Sequence, residues 1–206
     1  MSTRLFRFLL LATALCSAAH AAPRQPNILF IFTDDHSYKT LSCYPEALPG
    51  VNTPAMDALA KSGVRFSHAY MGAWCMPSRA TMLTGRHPHG IESMRMSGKY
   101  PGSEYDPQKT PFFPALFRQK GYHTAQIGKW HTGIDSGYGR DWDYQIVWNR
   151  PKYPGNAGAY YEGQILEING VKAETLNPDY STDNYTRWAA EYIRGQHRDP
   201  AKPWYL

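Results

Sequence analysis

The chain has 206 residues, is 42% hydrophobic and 14% aromatic, and carries a formal net charge of +5 at pH 7. That length supports one domain with a real core, and that composition excludes an intrinsically disordered chain. The positive excess is small and scattered and gives no case for a nucleic-acid surface, while 16 prolines and 17 glycines point to a loop-rich α/β protein.

Residues 1–22 read as a secretory signal peptide. Arg4 and Arg7 form a positive start, Phe8 to Cys16 is a short apolar run, and Ala19-His20-Ala21 is a small-residue cleavage pattern with Pro23 just beyond. The run is too short to span a bilayer. Acylation at Cys16 is disfavoured because Thr13 stands where a lipobox carries Leu. The expectation is an exported protein, periplasmic or secreted, with no membrane span. Removing the leader takes away two of the 22 basic residues and none of the 17 acidic ones, which leaves a formal charge of +3. It also leaves only Cys43 and Cys75, a pair that in an exported protein would ordinarily imply one disulfide. The surroundings of Cys75 argue instead for chemistry.

Asn27 to Thr33 is apolar at almost every position and ends in Asp34-Asp35, the pattern of a strand buried on both faces. Asn52-Thr53-Pro54 opens a helix that Gly63 stops. Val64 to Ala69 reads as a second strand. Pro77 opens a helix through about Thr84, ended by Gly85. Thr110-Pro111 opens another, with Phe112, Phe113, Leu116 and Phe117 apolar and Gly121 closing it. Tyr122 to Ile127 is a third strand, followed by Gly128-Lys129-Trp130-His131. Residues 132–160 read as a long Gly-, Pro- and aromatic-rich excursion. Ile165 to Ile168, Asn169-Gly170 and Val171 carry a hairpin signature. Tyr185, Trp188, Ala189, Tyr192 and Ile193 follow helical spacing, with Ser181 or Thr182 as cap and Gly195 as stop. Lys202 to Leu206 resembles the start of one more buried strand, so the expectation is a piece of a longer protein.

This alternation of strands and helices predicts a mostly parallel central sheet flanked by helices. In such sheets ligands gather outside the carboxyl ends of the strands. Asp34 and Asp35 fall at one such end and Lys129 and His131 at another. Cys75 precedes a helix start, where free N–H groups and the helix dipole favour an anion, and Arg79 adds a planar cation. These residue types fit a nucleophile facing an anionic group, and they also fit a small buried cysteine near a cap.

The segment Cys75-Met76-Pro77-Ser78-Arg79, with Leu83-Thr84-Gly85-Arg86, resembles the sulfatase signature. Pro26-Asn27-Ile28-Leu29 leading to Asp34-Asp35, Asn52-Thr53-Pro54 with Gly63-Val64-Arg65-Phe66, and Gly128-Lys129-Trp130-His131 match the same family in order. The resemblance covers residues 26–131 clearly and the rest loosely. It implies an alkaline phosphatase-like α/β fold, hydrolysis of sulfate esters, and residues 23–206 as the N-terminal portion of the catalytic domain. It implies that a separate formylglycine-generating maturation enzyme oxidises Cys75 to formylglycine, whose hydrate attacks sulfur with one hydroxyl and expels sulfate with the other. Asp34, Asp35 and residue 75 then resemble ligands of one divalent cation, usually Ca2+. Lys129 resembles the lysine that contacts sulfate, His131 the histidine beside the formylglycine hydroxyl, and Arg79 the cation that steadies the hydrate. The family draws further metal and sulfate ligands from a later segment, and none can be placed before Leu206. The 206 residues alone are therefore expected to be inactive.

A phosphonate monoester hydrolase or phosphodiesterase of the same superfamily is one alternative, and a non-catalytic exported binding protein is another. The implied substrate is a sulfated small molecule or glycan, with Tyr138, Trp142, Tyr144, Trp148 and Tyr153 placed either to stack on sugar rings or to pack. His36, His87 and His89 receive no role. Asn184-Tyr185-Thr186 is a glycosylation sequon by pattern.

Overall fold

The computed structural model describes residues 25–72, 74–91, 107–173 and 178–206. The expected leader, residues 1–22, lies outside the described residues. The central sheet has the order β4-β3-β2-β1-β5, from β1 (His123–Trp130), β2 (Tyr144–Asn149), β3 (Leu166–Ile168), β4 (Val171–Lys172) and β5 (Trp204–Tyr205). β2 and β5 both run parallel to β1, and the β3–β4 hairpin adds antiparallel to β2. Asn169 and Gly170 turn that hairpin with φ of 50° and 79°, the left-handed pair that a two-residue turn requires. The sheet is thus mixed, with its parallel strands at the centre.

The N-terminal run joins the sheet beyond β5. Ile28 N donates to Trp204 O at 2.8 Å, Phe30 N to Leu206 O at 2.7 Å, and Leu206 N to Ile28 O at 2.9 Å, in parallel sense. The expected burial on both faces is not observed. Leu29, Phe30 and Ile31 are 48%, 44% and 71% exposed, and among the described residues the run has strand pairing on its Trp204–Leu206 side alone.

Helices cover both faces of the sheet. Tyr144, Ile146 and Trp148 alternate onto one face and join Ala125, Tyr192 and Trp204, with Trp188 and Ala189 of α4 (Ser181–Ile193) packed against them. Val147, Trp130, Trp142 and Tyr205 lie on the other face with Leu83 of α2 (Cys75–Thr84) and with Phe112, Phe113 and Phe117 around α3 (Phe113–Gln119). The remaining helix, α1 (Pro54–Ser62), has no buried residue; its start is tied down by Ser42, Thr53 and Asp57, whose side chains hydrogen-bond to one another.

Several boundaries differ from the sequence reading. The 132–160 excursion contains β2, a central strand whose six residues are all buried. Its polar Gln145 and Asn149 hide the apolar pattern, and both are satisfied internally: Gln145 Nε2 donates to Gln126 Oε1 and Ser136 O, and Asn149 Nδ2 donates to Glu167 Oε2 and Ile134 O. β1 continues three residues beyond Ile127, which draws Lys129 into the strand. Val64 to Ala69 forms no strand and is exposed, since no neighbouring strand pairs with it among the described residues. α2 starts at Cys75, not at Pro77, α3 starts at Phe113, and Tyr180 rather than Ser181 or Thr182 precedes α4.

The start of α2 is fixed by Gly72. Ser78 Oγ donates to Gly72 O at 2.7 Å, and a Cβ at Gly72 would lie 2.5 Å from Ser78 N and 2.7 Å from the Pro77 carbonyl carbon. These contacts are backbone atoms, so an added methyl must displace the helix start or its lead-in. Gly72→Ala is expected to lower unfolding free energy by ~1–3 kcal/mol in denaturant titration, the usual cost of overpacking. A change under ~0.5 kcal/mol would show that the close approach is not needed.

Candidate active site

The parallel strands aim their carboxyl ends to one side, and the candidate residues follow from that. The N-terminal run delivers Asp34 and Asp35, and β1 delivers Lys129 and then His131. Asp34 Oδ2 accepts a hydrogen bond from Lys129 Nζ at 2.5 Å and another from Arg79 Nη2 at 3.0 Å. Arg79 Nη1 also donates to Lys129 O at 2.9 Å, and its guanidinium lies 5.3 Å from the Phe32 ring centroid. One arginine on α2 thus ties the end of β1 to the end of the N-terminal run. Burial pushes the Asp34 carboxyl up, but the hydrogen bonds and charges of Lys129 and Arg79 outweigh it and hold the group below the ordinary carboxylate value.

Cys75 is the first residue of α2, one turn before Arg79, so both project from the same side of the helix. The residue before it, Trp74, is extended and no side chain caps the helix. The Cys75 and Met76 N–H groups therefore have no acceptor within the helix, and Pro77 has no N–H to offer. Cys75 is half-buried, and both it and Cys43 carry free thiols.

His131 sits among cations. Burial, then the charges of Arg150, Lys129 and Arg79, push its imidazole down to about 4, with Asp34 opposing. Its Nδ1 is buried without a hydrogen-bond partner among the described residues, as is Arg79 Nε. A ring held neutral at ordinary pH has a lone pair with which to accept a proton.

The resemblance calls for a divalent cation at Asp34 and Asp35. Carboxylate oxygens suit a hard ion in kind. Asp35 is exposed, its carboxylate makes no hydrogen bond or ion pair among the described residues, and its backbone holds φ of 46°, an uncommon conformation for a residue with a Cβ. In number the donors fall short of the ~6–8 oxygens that Ca2+ takes. Among the described residues no group of three or more His, Cys, Asp or Glu converges to hold a metal ion. Asp34 and Asp35 therefore fit as part of a ligand set and not as a whole one.

Other sequence expectations resolve differently. Trp142, Tyr144 and Trp148 are 2%, 7% and 2% exposed and belong to the core, which removes them as sugar-stacking surfaces. Tyr138 is exposed, and the Tyr153 hydroxyl donates to Glu167 Oε1. His36, His87 and His89 are exposed. Asn184 is 3% exposed inside α4, so it is not presented for glycosylation. No helix among the described residues is long and apolar enough to cross a membrane. The sequence reading missed Gly72, Tyr160 and Arg150. The last follows directly on β2, and without that strand nothing marked Arg150 as a strand-end residue.

A cysteine-led helix, an acidic pair and a Lys-x-His are thus gathered on the carboxyl side of the parallel strands of one α/β layer. The sulfatase family model matches residues 26–206, and the chain belongs to the sulfatase family. It is 34% identical over 204 residues to an N-acetylglucosamine-6-O-sulfatase of Bacteroides thetaiotaomicron, covering 98% of this chain and 33% of that one. It is 41% identical over 135 residues to human arylsulfatase A, covering 62% of this chain and 24% of the relative. A solved protein in complex with its substrate D-glucosamine-2-N,6-O-disulfate superposes with a TM-score of 0.71 at 33% identity, over 88% of this chain and 33% of that one. Another, solved with k-i-k-neocarrahexaose, gives 0.70 at 27% identity over 89% and 44%. The chain thus spans about a third of the length of that bacterial relative.

Because the folded imidazole of His131 is depressed from 6.5 to about 4, its contribution to stability is complete above pH 6.5 and is lost as pH falls from there toward 4. NMR titration of the His131 ring is expected to show a midpoint near 4. A midpoint at the ordinary histidine value would mean that the burial and the three cations do not act on it.

Proposed function

We propose that the protein carrying this chain is exported and hydrolyses sulfate esters of a saccharide or another small alcohol, with residue 75, matured to formylglycine by a separate enzyme, as nucleophile. The observation that carries this reading is the convergence of Arg79 and Lys129 on one oxygen of Asp34, beside the helix that Cys75 leads. Two fixed cations in a partly buried site stabilise the negative charge that grows on sulfate oxygens as the S–O bond breaks. Lys129 offers a mobile ammonium to a sulfate oxygen, and Arg79 a planar fork. His131, neutral at ordinary pH, would take a proton from a hydroxyl of residue 75. The open N–H groups at the head of α2 favour an anion at residue 75. The formylglycine hydrate, when present, supplies a hydroxyl for attack and a second for release of sulfate. Asp34 and Asp35 would hold a divalent cation, Ca2+ by donor hardness, which when bound polarises the sulfate.

The named substrates of the relatives favour a sulfated amino sugar, and the sulfated glucosamine of the structural relative is the first compound to test. With two carboxylates for a shell of ~6–8 oxygens, the 206 residues alone are proposed to be inactive.

The test uses the protein as its gene encodes it, coexpressed with a formylglycine-generating enzyme and assayed with Ca2+. The residue 75 peptide is expected ~18 Da lighter than the thiol form, whereas ordinary cysteine oxidation adds mass. Arylsulfate hydrolysis should need Ca2+, and Lys129→Ala and Arg79→Ala should each lower kcat/KM by ~100-fold or more. An unmodified thiol under these conditions, or faster cleavage of phosphate diesters than of sulfate esters, would overturn the reading.

A further inference from the structure

The cationic side of the site extends past Arg79 and Lys129. Arg150 follows the last residue of β2, and its N–H donates to Trp130 O at 3.2 Å, so it stands at the end of the strand beside Lys129. Its guanidinium lies 5.1 Å from the Trp148 ring centroid and 5.0 Å from that of Tyr160. Lys129 Nζ is 5.9 Å from the same Tyr160 ring. Tyr160 is therefore flanked by two cations, and it is 50% exposed. Of the charges acting on His131, that of Arg150 is the strongest.

Arg150 differs from three other arginines that pack beside the sheet. Arg79, Arg118 and Arg140 each pair with a carboxylate. Arg150 makes no side-chain hydrogen bond or ion pair among the described residues, and its Nε is buried without an acceptor. Ring stacking returns only ~0.5–2 kcal/mol, and a buried donor without an acceptor costs a comparable amount. Lys129 beside the same ring adds repulsion. Packing between Trp148 and Tyr160 needs only a long apolar stem, so packing does not account for a guanidinium here. An oxyanion seated against the Arg150 fork does: it screens the repulsion and uses the planar geometry that lysine lacks.

We propose that Arg150, beside the half-exposed Tyr160, forms a second oxyanion position at the rim of the site, taking a sulfate or carboxylate of the substrate other than the sulfate being cleaved. Preferred substrates are then saccharides with two anionic groups, the ring that carries them lying against Tyr160. This deepens the sulfate-ester reading and depends on it.

The experiment compares three compounds that share a 6-O-sulfated glucosamine: glucosamine 6-O-sulfate, glucosamine 2-N,6-O-disulfate, and a disaccharide in which the 6-O-sulfated glucosamine is joined to a uronate. All are assayed on the matured protein as its gene encodes it. At least one doubly anionic compound should exceed the first in kcat/KM by roughly tenfold, mainly through KM, as a charge-assisted hydrogen bond gives. Whichever of the two carries the preference identifies the second anion as sulfate or carboxylate. In R150Q that ratio should fall close to one, and R150K should retain part of it. If wild-type protein cleaves all three equally, or if R150Q keeps the wild-type ratio, Arg150 is not an anion position, while the sulfate-ester reading survives. If wild-type protein cleaves none of them or any other sulfate ester, both fail together. Where R150Q does not fold, a wild-type ratio near one still overturns the proposal, and R150K carries the comparison: a ratio unchanged from wild type overturns it and a reduced one supports it.

Discussion

The shared grip of Arg79 and Lys129 on the Asp34 carboxylate organises this end of the molecule. Three elements that are distant in sequence meet there: the N-terminal run, the helix that Cys75 leads, and β1. The charges are consistent with one another. A lone carboxylate in this position would be raised by burial, and it is instead held ionised by its two partners. Two cations brought together without Asp34 would repel each other and press still harder on His131. Parallel pairing makes the meeting possible, because only strands running the same way deliver their carboxyl ends, and whatever follows them, to one edge.

Much of this edge was legible in the sequence. The Asp34-Asp35 pair and the Lys129-Trp130-His131 stretch each follow an apolar run, which places them at strand ends without knowledge of the partners. The cysteine-led segment contains Pro77 and ends at Gly85, which marks a short helix. The hairpin at Asn169-Gly170 announces itself through turn chemistry alone. What was not legible has a physical cause in each case. β2 was missed because its inward polar residues, Gln145 and Asn149, are satisfied by side chains and carbonyls that only the fold brings near. With β2 went Arg150, whose position means nothing until the strand before it is recognised. The aromatic residues between Trp142 and Trp148 looked available for a ligand and prove to be core, since composition does not distinguish the two uses. The Val64–Ala69 stretch has strand-like composition and no pairing partner among the described residues, and β-propensity without a neighbour does not make a strand.

The membership in the sulfatase family and the local geometry support each other from different directions. The family match spans residues 26–206 and gives the family. The geometry says which side chains of this chain are in position: Asp34 bonded, Arg79 and Lys129 converging, His131 neutral, and Asp35 exposed on a strained backbone with its carboxylate uncommitted among the described residues. That last feature distinguishes two neighbouring acids with the same chemistry. Asp34 already serves as counter-ion to two cations, while Asp35 is the one with full capacity for a further cation.

The most direct test of this picture is a double-mutant cycle between Asp34→Asn and Lys129→Met, read as unfolding free energy in the protein as its gene encodes it. Groups that share one charge network are expected to couple by roughly 0.5–3 kcal/mol, so the double variant should be less destabilised than the two single variants together. Strict additivity, within ~0.3 kcal/mol, would mean that the carboxylate and the ammonium do not act as a unit, and the account of the site built on them would be contradicted.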